Sequence, residues 1–132
     1  VDDLTDIERQ LLRAALELGF GPDTDLSRAN TARVVNRVLA WRGLSAEQID
    51  DGWRSDGCPP DHATVYAALA RMTQERHSAG PGRAPERPGP ALFEGGGNWG
   101  APGDPDAPAC APQYNSCRLT EEGERRARAL AH

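Results

Sequence analysis

The sequence predicts a mostly helical domain: a helix-turn-helix preceded by two extra helices and followed by a small pair of strands. Three observations carry this. Apolar residues recur at helical spacing in one stretch after another. The patterns Thr5-x-x-Glu8 and Ser45-x-x-Gln48 mark places where a helix opens, because each lets side chain and backbone satisfy two orphan amides reciprocally. Finally, of the 14 Gly and 11 Pro, 16 fall within residues 80–112, which confines helix-hostile sequence to one insert.

Residues 4–18 form the first helix. Ile7, Leu11, Ala14, Ala15 and Leu18 make its stripe, and Leu12 and Leu16 widen it toward a second neighbour. Gly19 is a natural left-handed stop. A second helix opens at Ser27 or Thr31 and ends near Arg42, with Val34, Val35, Val38 and Leu39 buried and Trp41 beside them as core. The short third helix, near residues 46–53, places Ile49 and Trp53 on one face. Ser55-Asp56-Gly57 makes a tight turn, and Pro59-Pro60 precedes a helix without continuing one. Asp61 is expected to cap the fourth helix, which runs to about Glu75 with Val65, Ala68, Leu69 and Met72 inward. In the insert, Ala91-Leu92-Phe93-Glu94 is the plausible strand, and Gly95-Gly96-Gly97 is read as unable to hold a regular element. Residues 113–119 alternate as a second strand, with Cys117 and Leu119 on the inner face. Thr120 caps a last helix over 121–131, acidic first and basic later, as the helix dipole favours.

This order is the winged-helix arrangement. It divides the single domain 1–132 into N-terminal helices (1–43), helix-turn-helix (45–76), a long Pro/Gly-rich wing (78–119) and a C-terminal helix (120–131). A chain of 132 residues supports one modest core.

Composition excludes several classes. The net charge is −5, and all 15 basic residues are arginine, which argues against a polybasic, sequence-blind nucleic-acid coat. The apolar run needed for a transmembrane helix is absent. The acidic stretch Val1-Asp2-Asp3-Leu4-Thr5-Asp6 has no apolar signal core. Three cysteines are too few for a disulfide scaffold. The expected compartment is the cytoplasm.

Two strings resemble a known group. Thr64-Val65-Tyr66-Ala67-Ala68-Leu69-Ala70-Arg71-Met72 resembles the recognition helix of bacterial winged-helix regulators of the PadR and MarR type. Cys117-Arg118-Leu119-Thr120-Glu121-Glu122-Gly123 resembles their junction between the second wing strand and the last helix, with Cys117 where those proteins carry an aromatic. The group usually starts its first wing strand directly after the recognition helix. Here Arg76-His77-Ser78-Ala79-Gly80-Pro81 stands instead. The resemblance implies a transcriptional regulator, dimeric through its extra helices, that binds double-stranded DNA. The implied DNA contacts are Thr64, Tyr66, Ala67 and Arg71 on the helix and Arg83 and Arg87 on the wing. The alternative is a winged-helix module that binds protein and not DNA, with Trp99, Tyr114 and Leu92-Phe93 near the insert as hooks. The stripes Leu11, Leu12, Leu16 and Val34, Val35, Val38 suit either a dimer seam or internal packing.

No enzymatic constellation stands out and no cofactor is expected. Asp50 and Asp51 are adjacent, so on a helix they diverge. Asp23-Thr24-Asp25 lacks the rest of a calcium loop. Gly95-Gly96-Gly97 does not open a helix as a phosphate cradle would. Cys58, His62, Cys110 and Cys117 are the types of a Cys3His zinc site, but their spacing is not that of a knuckle. A Cys110–Cys117 disulfide is another option, and unpaired thiols are the default.

Overall fold

The computed structural model describes residues 4–26, 28–54, 59–75, 91–96 and 116–130. Within them lie five helices, α1 (Asp6–Leu18), α2 (Thr31–Trp41), α3 (Ala46–Arg54), α4 (Pro60–Met72) and α5 (Glu121–Leu130). Three short strands accompany them, β1 (Thr73–Glu75), β2 (Phe93–Gly96) and β3 (Ser116–Leu119). The fold is mostly α. None of these helices is long and apolar enough to cross a membrane.

The predicted caps form. Thr5 and Glu8 exchange side-chain-to-backbone bonds at 3.2 and 2.8 Å, and Ser45 and Gln48 do so at 3.1 and 2.8 Å. Gly19 ends α1 with φ 80°, the left-handed conformation that costs glycine least. Of the two proposed starts for the second helix, the structure uses Thr31, with the Asn30 side chain accepting from the Ala32 amide.

Helix α1 is the centre of the packing. It touches α2, α4, α5 and β3. That is why Leu11, Leu12, Ala14 and Ala15 are all buried, on more than one side of the helix. They join Val34, Val35, Val38 and Leu39 of α2, Val65, Leu69 and Met72 of α4, and Leu92, Phe93, Cys117 and Leu119 of the sheet in a single core.

The outer edges of α1 and α2 are stitched in antiparallel register. Arg42 reaches Gln10 at 3.4 Å, the Arg13 guanidinium lies 5.5 Å from the Trp41 ring, Arg37 pairs with Glu17 at 3.3 Å, and Arg33 lies 5.5 Å from the Phe20 ring. Trp41 is therefore on the surface, 39% exposed, and not in the core as its place beside the stripe suggested. Its position one turn beyond Arg37 carries it to the outer seam.

Three further expectations are corrected. Helix α4 begins at Pro60, with Pro59 before it and no side-chain cap; Asp61 lies inside its first turn. Proline at the first helical position has no amide to satisfy and a φ already suited to the helix, so the helix opens at Pro60 and takes Asp61 inside it. The same helix stops at Met72 and not near Glu75. Thr73 turns extended, its hydroxyl donating to the Leu69 carbonyl at 2.7 Å. Residues 73–75 then pair parallel to β2. A strand does follow α4 directly, although no apolar run announces it. Third, Gly95 and Gly96 belong to β2, the middle strand of the order β1-β2-β3. Backbone pairing with Cys117 and Ser116 of antiparallel β3 holds them where side-chain packing cannot.

The Leu119-Thr120-Glu121-Glu122-Gly123 junction now has a physical meaning. Leu119 is buried. The Thr120 hydroxyl caps α5, accepting from the Gly123 amide at 3.0 Å while donating to the Ala91 carbonyl at 2.7 Å. The Thr120 amide donates to the Leu92 carbonyl at 3.1 Å. A Cβ on Gly123 would stand 1.9 Å from that same carbonyl oxygen. The first turn of α5 thus sits directly on the entrance to β2. We expect Gly123→Ala to lower unfolding free energy by about 2 kcal/mol or more, read from the urea midpoint. Wild-type stability in that variant would contradict the contact.

Candidate nucleic acid interface

Helix α4 carries the residues that the sequence singled out. Its inner stripe is occupied by His62, Val65, Ala68, Leu69 and Met72. Thr64, Ala67 and Arg71 follow one another at i, i+3 and i+7 and so share an outer stripe. Thr64 and Arg71 are exposed and Ala67 is half-buried. Tyr66 falls on the other flank, half-buried and packed against the core. The outward face is thus made of Ala63, Ala67 and Ala70, all half-buried, between Thr64 and Arg71 on one side and Tyr66 on the other. Arg71 has no ion-pair partner among the described residues. Arg83 and Arg87 lie outside those residues.

The N-terminal turn of α4 is held closely against α3. The His62 Nε2–H donates to the Ile49 carbonyl at 2.9 Å, an assignment that follows because a carbonyl can only accept. The imidazole meets the Trp53 ring edge-on, centroids 4.5 Å apart. The Trp53 indole N–H in turn donates to Asn36 Oδ1 at 2.6 Å. Gly52 lies so close to the imidazole that a Cβ there would come within 2.2 Å of Nε2. One chain of contacts therefore ties α2, α3 and α4 together and fixes how α4 is presented. Its one incomplete group is His62 Nδ1, buried with no hydrogen-bond partner. An open cleft of about 480 Å³ lies beside the His62 contact, walled in part by Arg42, Gln48, Asp51, Asp61 and His62.

The surrounding charges are mixed. Asp51 and Asp61 are exposed near the start of α4 and have no ion-pair partner among the described residues. Arg118 is turned inward and adds nothing to a basic face. Its guanidinium holds Glu94 Oε1 at 2.6 and 3.0 Å and the Thr24 carbonyl at 2.5 Å.

The zinc set is not assembled by the members that are described. His62 packs between α3 and α4, whereas Cys117 is enclosed in β3 beside Thr31. Cys58 and Cys110 lie outside the described residues, as do Trp99 and Tyr114. Leu92 and Phe93 are core residues and offer no hook. Leu11, Leu12, Val34, Val35 and Val38 are likewise enclosed within the single chain. Any pairing of two copies through α1 and α2 has to use their outer surface. Apolar periodicity does not reveal that outer seam; its signal lies in the spacing of Arg33, Arg37 and Trp41 beside Gln10, Arg13 and Glu17.

The chain matches no protein-family model and no curated protein.

Burial pushes the Cys117 thiol up from 9 to about 12, with the neighbouring Thr31 hydroxyl acting in the opposite direction as the smaller effect. The folded state thus holds the proton across a range in which the unfolded chain has lost it. The contribution is fully present below about pH 9 and is lost as pH rises toward 12. We expect urea stability to decline across that window and Cys117→Ala to flatten the decline. An unchanged slope in the variant would show that another group governs it.

Proposed function

We propose that the chain is a winged-helix DNA-binding protein, a cytoplasmic transcriptional regulator without catalytic activity, with α4 as its recognition helix. The observation that carries this reading is the outer face of α4. Small alanines permit close approach of the helix backbone to a groove. Thr64 and the exposed Arg71, which has no ion-pair partner among the described residues, stand on one side of them and Tyr66 on the other. Arg71 is suited to a guanine edge or a phosphate, Thr64 and Tyr66 to phosphates, and the Ala67 methyl to a thymine methyl. The hairpin of β2 and β3 runs into α5 through the Thr120 and Gly123 contacts, in the place where a wing leads into the last helix. Arg83 and Arg87 supply the wing contacts, and a homodimer matches a pseudo-palindromic site.

A second reading, a protein-binding winged helix that does not touch DNA, draws on two observations. Arg118 is committed to Glu94, and Asp51 and Asp61 stand beside the start of α4 with no ion-pair partner among the described residues.

A salt titration separates the two. On the DNA reading, affinity for duplex falls steeply with salt because phosphate contacts release counterions. Arg71→Ala weakens binding by about 1–3 kcal/mol if the guanidinium reads a base. Asp51→Asn and Asp61→Asn strengthen binding at low salt by removing like-signed repulsion. Absence of duplex binding at low salt, or binding with no salt slope, sinks the reading.

A further inference from the structure

The α1–α2 seam is a surface that neither DNA recognition nor core packing accounts for. Helix α2 contains no acidic residue, in a chain whose net charge is −5. Along the seam stand Arg13, Arg33, Arg37 and Arg42, and Glu17 is the one carboxylate among their described partners. Arg9 and Asp6, at the start of α1, pair with each other at 2.9 Å and add no net charge. Trp41 sits among these arginines and is the exposed large apolar side chain of the described residues.

We infer that this seam docks an acidic segment of a partner protein that carries an apolar side chain beside its carboxylates. Arg13 and Arg33 lie against aromatic rings, an arrangement that holds a guanidinium in place. Their planar N–H groups are then pre-oriented to grip a carboxylate bidentately, with less entropy to lose. Arg33, Arg37 and Trp41 follow at i and i+4 along α2, so two cations and one apolar anchor point form a single line. Trp and Arg are the residue types in which binding energy concentrates at protein interfaces. A phosphate backbone tracks unbroken positive charge, whereas this line is interrupted by Glu17 and ends on an indole already flanked by Arg13. The features favour a protein segment over a nucleic-acid strand. The inference does not depend on DNA binding through α4.

The test uses the full chain and a labelled peptide of repeated Glu-Leu-Glu-Glu units, followed by fluorescence anisotropy. The counterpart peptide has Gln for every Glu, and a short oligothymidylate serves as the phosphate probe. The acidic peptide binds, weakening as salt is raised. Arg33→Gln with Arg37→Gln reduces its affinity about tenfold or more, and Trp41→Ala reduces it as well. Because those variants also loosen the seam, Glu17→Gln supplies a change of opposite sign: removal of the single carboxylate raises affinity. The inference is overturned if the acidic peptide fails to bind at low salt, or if the Gln peptide binds equally. It is also overturned if oligothymidylate binds in preference, or if sedimentation shows that the same variants abolish only self-association.

Discussion

The contact on which the architecture turns is the seat of α5 upon the entrance to β2. Two neighbouring backbone carbonyls, those of Ala91 and Leu92, are both claimed by Thr120. Gly123 leaves room for the helix to press against the second of them. The arrangement fixes β2 against α5 and, through pairing with β3, brings Phe93, Cys117 and Leu119 over the central helix α1. After Phe93 and Glu94, the Gly-Gly half of this strand has no side chain with which to secure itself. Its placement depends on backbone bonds, and those depend on the start of α5.

Electrostatics is distributed by task more than by region. Arg118 is the only arginine in the sheet, and partial burial against Glu94 and the Thr24 carbonyl makes it a clasp between sheet and loop. The arginines of α2 lie across rings or reach exposed side chains, where each ion pair is worth only about 0.5 kcal/mol or less. Arg71 on α4 has no ion-pair partner among the described residues. The overall negative charge therefore says little about any one face. What a face can bind is decided by which guanidiniums are already occupied.

Much of the fold was legible in the sequence because it rests on local chemistry. The capping boxes at Thr5 and Ser45, the stop at Gly19, the inner stripes of α1, α2 and α4, the alternation of Cys117 and Leu119, and the Thr120 cap are all written within a turn or two of chain. The errors lie where distant backbone takes over. Thr73 leaves the helix because a strand that arrives some twenty residues later offers it a partner. Gly95 joins the strand because it is paired on both sides, with Glu75 and Cys117, and Gly96 because it is paired with Ser116, which no propensity scale foresees. Trp41 was expected inside because an apolar stripe reveals its centre better than its edge. Of the candidate site, the outer stripe of Thr64, Ala67 and Arg71 followed from helical spacing. Tyr66 could not be assigned to its flank until the packing against α4 was known, and the engagement of Arg118 by Glu94 is a cross-strand contact that one-dimensional spacing does not contain.

One bond described above bears on a different property. Strand β3 is paired with β2 on one side. On the other, the Leu119 amide donates to the Phe20 carbonyl at 2.8 Å, from the loop that follows α1. A short strand with a bare edge is a template on which a foreign chain can add itself. Here the edge is blunted by a piece of ordinary loop, held in place because Phe20 is itself buried and its amide bonded back to Ala15. The stop of the first helix therefore also acts as a selvedge for the sheet, guarding a glycine-rich hairpin from growing into anything larger.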